Sequence, residues 1–157
     1  MTDYTNNYFR MMNDIGTGYE AARAARKAEK DALMKADDWD GVKAWNAREE
    51  KEFPFPFSKG QMSAYRAWQN STANESSIFE VNDLPWDNEA HDFITCLKEA
   101  GITEFAVTDQ STALMRVLHI LADEEGCKLE GFCKVIRSER RWGEDETTEH
   151  NGILMSL

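Results

Sequence analysis

Apolar residues alternate, cluster and recur in a defined order across residues 78–125, and the rest of the chain is read from that order. Ile78, Phe79 and Val81 begin a strand that Leu84-Pro85-Trp86 ends, because Pro85 has no amide to give a central ladder. Phe93, Ile94 and Leu97 then lie on one helical face, which Ala100 extends and Gly101 stops; Asp87 or Asn88 is placed to cap it. Ile102–Val107 is β-branched and aromatic enough for a second strand. Leu114, Val117, Leu118 and Leu121 recur at i, i+3, i+4 and i+7, the clearest helical period in the chain. So few residues separate helix from strand that the unit has the length of a right-handed crossover between parallel strands.

Beyond Gly126 the period returns to two. Leu129 to Arg137 reads as a third strand with Phe132 and Ile136 on one face and Cys133 and Val135 on the other. A turn at Gly143-Glu144-Asp145-Glu146 returns the chain toward Ile153-Leu154-Met155 as a hairpin. The expected fold is α/β or α+β: a small β-α-β-α-β-β domain over residues 78–157, preceded by a helical extension over residues 1–77.

The extension is less strongly patterned. Tyr19–Lys35 is rich in helix formers, and Gly16 and Gly18 are expected to break any continuation toward the N-terminus. Asp38 or Asp40 caps a second helix holding Val42 and Trp45, which Phe53-Pro54-Phe55-Pro56-Phe57 halts. The three aromatics of that connector are expected to pack on the protein itself rather than serve as a docking strip, since the spacing misses PxxP. Ser58 caps a third helix with Met62, Tyr65 and Trp68 at helical spacing. Residues 70–77 are small and polar, the composition of a linker.

Charge changes this picture. The 157 residues carry a net charge of -11, and the imbalance is uneven: residues 1–77 hold 11 basic against 12 acidic groups, residues 78–157 hold 7 against 17. Such a surface repels phosphate backbones, so direct binding to nucleic acid or an anionic membrane is disfavoured and a basic protein surface is the expected partner, a nucleic-acid-binding protein being the natural example. No leader-like apolar segment precedes Thr2-Asp3-Tyr4, and Cys96, Cys127 and Cys133 are an odd number, which favours reduced thiols and a cytoplasmic location. No apolar run approaches the roughly 18 residues a membrane span requires.

Chemistry is sparse. In open α/β sheets ligands bind beyond the carboxyl ends of parallel strands, which selects Asp83 after the first strand and Asp109, Ser111 and Thr112 after the second. The same side chains are also typical helix caps. Glu144, Asp145, Glu146 and Glu149 form an acidic cluster at the hairpin turn, a candidate for contacting a basic partner; pairing with Arg137, Arg140 and Arg141 across the turn is the competing reading. His91 and Cys96 lie about 140° apart on one predicted helix and cannot pinch a metal. Phosphate-loop, dinucleotide, nucleophile-elbow, zinc-protease and EF-hand patterns are missing from the sequence, so no metal or cofactor is expected, and an enzymatic reading rests on topology alone, with Asp109 as its candidate acid, base or ligand.

Phe79-Glu80-Val81-Asn82-Asp83-Leu84-Pro85-Trp86, Phe93-Ile94, Ala100-Gly101-Ile102, Thr108–Met115 and Gly131 together resemble a family of short uncharacterised proteins carried by bacterial conjugative elements and phages. The resemblance spans residues 78–157. It implies a setting, the accessory genes of mobile elements, where small acidic inhibitors of restriction or CRISPR machinery occur, and it carries no catalytic residues. Three readings follow: a non-catalytic acidic protein-binding factor, a small enzyme or ligand-binding module with its site at the strand ends, and a subunit that self-associates through its N-terminal helices.

Overall fold

The computed structural model describes residues 5–157, apart from the side chain of Arg141. Among the described residues five helices and four strands follow in the order α1 (Asn7–Lys35), α2 (Trp39–Glu52), α3 (Lys59–Ala73), β1 (Glu80–Val81), a 3₁₀ turn (Asp87–Glu89), α4 (Ala90–Glu99), β2 (Glu104–Val107), α5 (Leu114–Asp123), β3 (Lys128–Arg141) and β4 (Glu144–Ser156). The fold is α+β. Two compact units divide it: the residues up to Arg10 with Ser58–Leu157, and Met11–Phe57.

In the larger unit the sheet order is β1-β2-β4-β3. β1 and β2 are parallel, Glu80 beside Ala106 and Val81 beside Val107, with α4 as the crossover between them. β4 enters antiparallel between β2 and β3. β1 is shorter than the predicted Ile78–Val81 because the chain before it is used elsewhere: Ser77 N–H donates to Ile136 O (2.9 Å) and Ser138 N–H to Asn74 O (2.8 Å), on the outer edge of β3. An exposed edge is an invitation to foreign strands, and these bonds cover part of it. Residues 70–77, whose composition suggests a linker, are therefore part of the fold; Ser71 and Ser76 are buried.

The core forms where the sequence patterns point. Phe93 of α4 packs edge-on against Phe105 of β2 at 6.3 Å, and Val117, Leu118 and Leu121 of α5 are buried. α4 ends as a Schellman motif: Gly101, at φ 76°, donates to Lys98 O, and Ile102 donates to Leu97 O. α3 starts in a reciprocal capping box between Ser58 and Gln61. Gly60 there touches α4, where an added Cβ would lie 2.4 Å from Glu89 O.

The break expected at Gly16 and Gly18 does not occur, since α1 runs through both from Asn7. Two interior glycines cost a helix about 1 kcal/mol each, and tertiary anchoring outweighs them. Asn6 accepts from Phe9 N–H and donates to Ala100 O at 2.7 Å; Phe9 is buried and stacks on Trp68 and Phe79.

The smaller unit pairs the rest of α1 with α2. Asp38 caps α2 through Gly41 N–H, and Arg26 makes a two-pronged pair with Glu49 at 2.6 and 2.7 Å. Phe53 stacks on Tyr19 at 4.8 Å with Phe55 edge-on, so this part of the aromatic connector packs on its own helix pair, although Phe55 stays exposed.

Candidate functional site

The loops after β1 and β2 lie side by side because their strands are parallel neighbours. Asp109 fastens them together. Its Oδ2 accepts from Leu84 N–H at 2.8 Å and its Oδ1 from Ser111 N–H at 2.5 Å. Burial pushes the carboxyl toward its neutral form, but the two amide donors prevail and hold Asp109 below its ordinary acidity range. A carboxylate with both oxygens engaged by backbone donors is stable as an anion and poorly disposed to accept a proton.

A cleft of about 540 Å³ opens beside this staple. Asp83, Asp109 and Ser111 line it, with Trp86, Asp87 and Arg116 at its walls; Thr112 is exposed and does not contribute. Arg116 donates to Asp87 at 3.0 Å, and Trp86 is 77% exposed. Around these loops the predicted caps do not act as such: neither Asp87 nor Asn88 caps α4, and none of Asp109, Ser111 and Thr112 caps α5. Glu89 accepts from Trp86 N–H at the entry to the 3₁₀ turn, while α5 begins after Ala113 without a side-chain cap. Asp109 bonds across loops because the folded chain puts Leu84 within reach, a partner 25 positions away.

The acidic cluster sits at the far end of a hairpin 14 and 13 residues long. Glu144, Asp145, Glu146 and Glu149 are exposed, as is Trp142 at the turn. Arg140 stands opposite Asp145 in the ladder, and Glu149 pairs with Lys134 at 3.2 Å. The side chain of Arg141 lies outside the described residues.

Arg137 does not face these acids. It shares strand parity with Val135, on the face opposite Ile136, and its guanidinium clasps Glu80 of β1, which is 2% exposed. Thr108 donates to the same carboxylate at 2.5 Å and Ser76 at 3.0 Å. Ser71 completes the network from α3, accepting from Glu80 N–H and donating to Glu80 O. Burial would raise the Glu80 pKa; the donors from Arg137, Thr108 and Ser76 outweigh it and keep the group ionised below its usual range. This network ties the hairpin to β1, and the shared parity of Cys133, Val135 and Arg137 was the signal in the sequence that pointed inward.

Among the described residues no three His, Cys, Asp or Glu side chains converge as metal ligands, and no helix is long and apolar enough to cross a membrane. His91 pairs with Glu125 at 3.0 Å and His119 with Asp123 at 3.6 Å, both on the surface.

No curated protein and no solved structure matches the chain. A family defined by a domain of unknown function, DUF7698, matches residues 63–157, from within α3 through the whole sheet. The matched region holds the crossover, the Asp109 staple and the hairpin with its Glu80–Arg137 root, and by that match the chain belongs to the DUF7698 family.

Proposed function

We propose that the protein is a non-catalytic binding factor whose acidic hairpin engages a basic surface on a partner protein. The observation that carries this reading is the position of Glu144, Asp145 and Glu146: exposed, at the tip of a long two-stranded arm, beside a fully exposed Trp142. Consecutive carboxylates next to an exposed aromatic supply steering by charge and an anchor by burial, the pairing that basic protein surfaces accept. The arm's root is fixed by the buried Glu80–Arg137 pair, which reduces the ordering cost on binding. The resemblance to proteins of conjugative elements and phages supplies the setting, and a nucleic-acid-handling defence protein has the basic groove such an arm fits.

The test compares wild type with a Glu144→Lys, Asp145→Lys, Glu146→Lys variant in capture from bacterial lysate at low and high salt. The reading expects basic partners held by wild type, released as salt rises and missing from the variant. An identical set of partners held by both proteins at every salt concentration refutes it.

A second reading, a ligand-binding module, is favoured by the 540 Å³ cleft where Asp83, Asp109 and Ser111 meet. A thermal-shift screen against phosphorylated metabolites, repeated on Asp83→Asn, separates it from the first. Stabilisation that the variant loses supports the cleft.

A further inference from the structure

We propose that the helical unit Met11–Phe57 carries an anion-binding cleft for a phosphate ester with a flat aromatic body, of roughly mononucleotide size. The cleft, of about 440 Å³, runs between α1 and α2. That volume is in the usual range for small-molecule sites, about 300–1,000 Å³. Arg23, Lys27 and Lys30 form its α1 wall. At i, i+4 and i+7 they fall within about a 60° arc of the helix, so three cations point to one side.

Their neighbours are already committed. Arg26 holds Glu49 and Arg48 holds Glu29. Arg23 and Lys27 have no carboxylate partner among the described residues, and Lys30 sits over the Trp45 ring at 5.3 Å. Across the cleft Glu49 is neutralised by Arg26, which leaves Glu50 as the one opposing acid on the lining. A local excess of positive charge in a chain of net charge -11 is a specific feature, since the rest of the surface repels anions. An arginine fork with two lysine point charges suits a doubly charged phosphate better than a lone carboxylate.

The remaining walls suit the body of the ligand. Tyr19, Phe53 and Phe55 form one apolar end. Trp45, 8% exposed, lines the cleft with Lys30 over its ring, which adds a second aromatic surface to the cationic wall.

The experiment titrates the full-length protein with AMP, adenosine, ribose 5-phosphate and inorganic phosphate, following backbone amides and the Trp45 indole N–H by nuclear magnetic resonance. AMP is expected to shift the amides of 23–30 and the Trp45 signal saturably, and to bind at least about tenfold tighter than phosphate or adenosine alone. Arg23→Gln with Lys27→Gln, both on an exposed helix surface, should keep the fold and weaken AMP by at least about tenfold. The proposal is overturned if AMP produces no saturable shifts at these positions, if phosphate alone binds as well as AMP, or if the double variant, its spectrum otherwise native, keeps the wild-type affinity.

Discussion

Replacing Arg137 with methionine leaves the Glu80 carboxylate inside the protein without its counter-charge. Glu80 is 2% exposed and the Arg137 side chain 15%, so little water reaches the pair to compensate. Removing one partner of a buried ion pair costs about 3–5 kcal/mol. Here Thr108 and Ser76 still donate to the carboxylate, which places the cost toward the lower end, about 3 kcal/mol. At roughly 2–4 °C per kcal/mol for a chain of 157 residues, the melting temperature should fall by about 6–12 °C. Urea denaturation at pH 7 measures the free energy, and the double variant Glu80→Met with Arg137→Met completes the comparison. With no charge left buried, the double variant should recover at least about 1 kcal/mol over Arg137→Met alone, because apolar replacements of buried pairs are often near neutral. An Arg137→Met protein within about 1 kcal/mol of wild type would show that the pair behaves as a surface bridge and that the hairpin's root is not held this way.

Gly60→Ala should destabilise by at least about 2 kcal/mol, since the new methyl meets backbone atoms of Glu89 and Phe93 that cannot swing aside; unchanged thermal stability would mean α3 and α4 are less closely packed. Asp109→Ala removes the acceptor for the buried Leu84 N–H and should cost about 1–3 kcal/mol, with faster amide exchange at Leu84 as its local signature. The acid limb of the stability curve follows from the depressed acidities of Glu80 and Asp109. Their folded pKa values lie below the ordinary 4.5 and 3.8, so their contribution is complete above those values and is lost as pH falls through the folded ones. Melting temperature should hold steady from neutrality to about pH 5 and then drop, and Glu80→Gln should flatten that drop.

Much of this fold was legible in the spacing of apolar residues. Ile102–Val107 reads as a strand parallel to the one at Val81 because only a short helix and a glycine stop separate them, and the ladder from Glu80–Ala106 to Val81–Val107 has that direction. The hairpin was legible for the same reason, as two runs of period two about one glycine turn. The insertion of β4 between β2 and β3 was not, because nothing local chooses which neighbour a returning strand takes. The early start of α1 was hidden by Gly16 and Gly18, whose local penalty is real but smaller than the burial of Phe9 against Trp68 and Phe79, far along the chain. Asp109 reads as a cap from its neighbours, and its partner Leu84 comes within reach only when the two strands pair. Trp45 and the cations of α1 read as ordinary helix faces in sequence; the cleft exists only once α2 folds back alongside.

The central claim is that the hairpin tip is where this protein meets its partner. A photo-reactive amino acid placed at Asp145, and at the exposed Ala25 as a control, reports that contact directly in living bacteria that contain the partner. The account predicts a discrete adduct with a basic protein from position 145, absent from position 25 and lost when Glu144 and Glu146 are changed to lysine. Adducts from position 25 with none from 145 would contradict it.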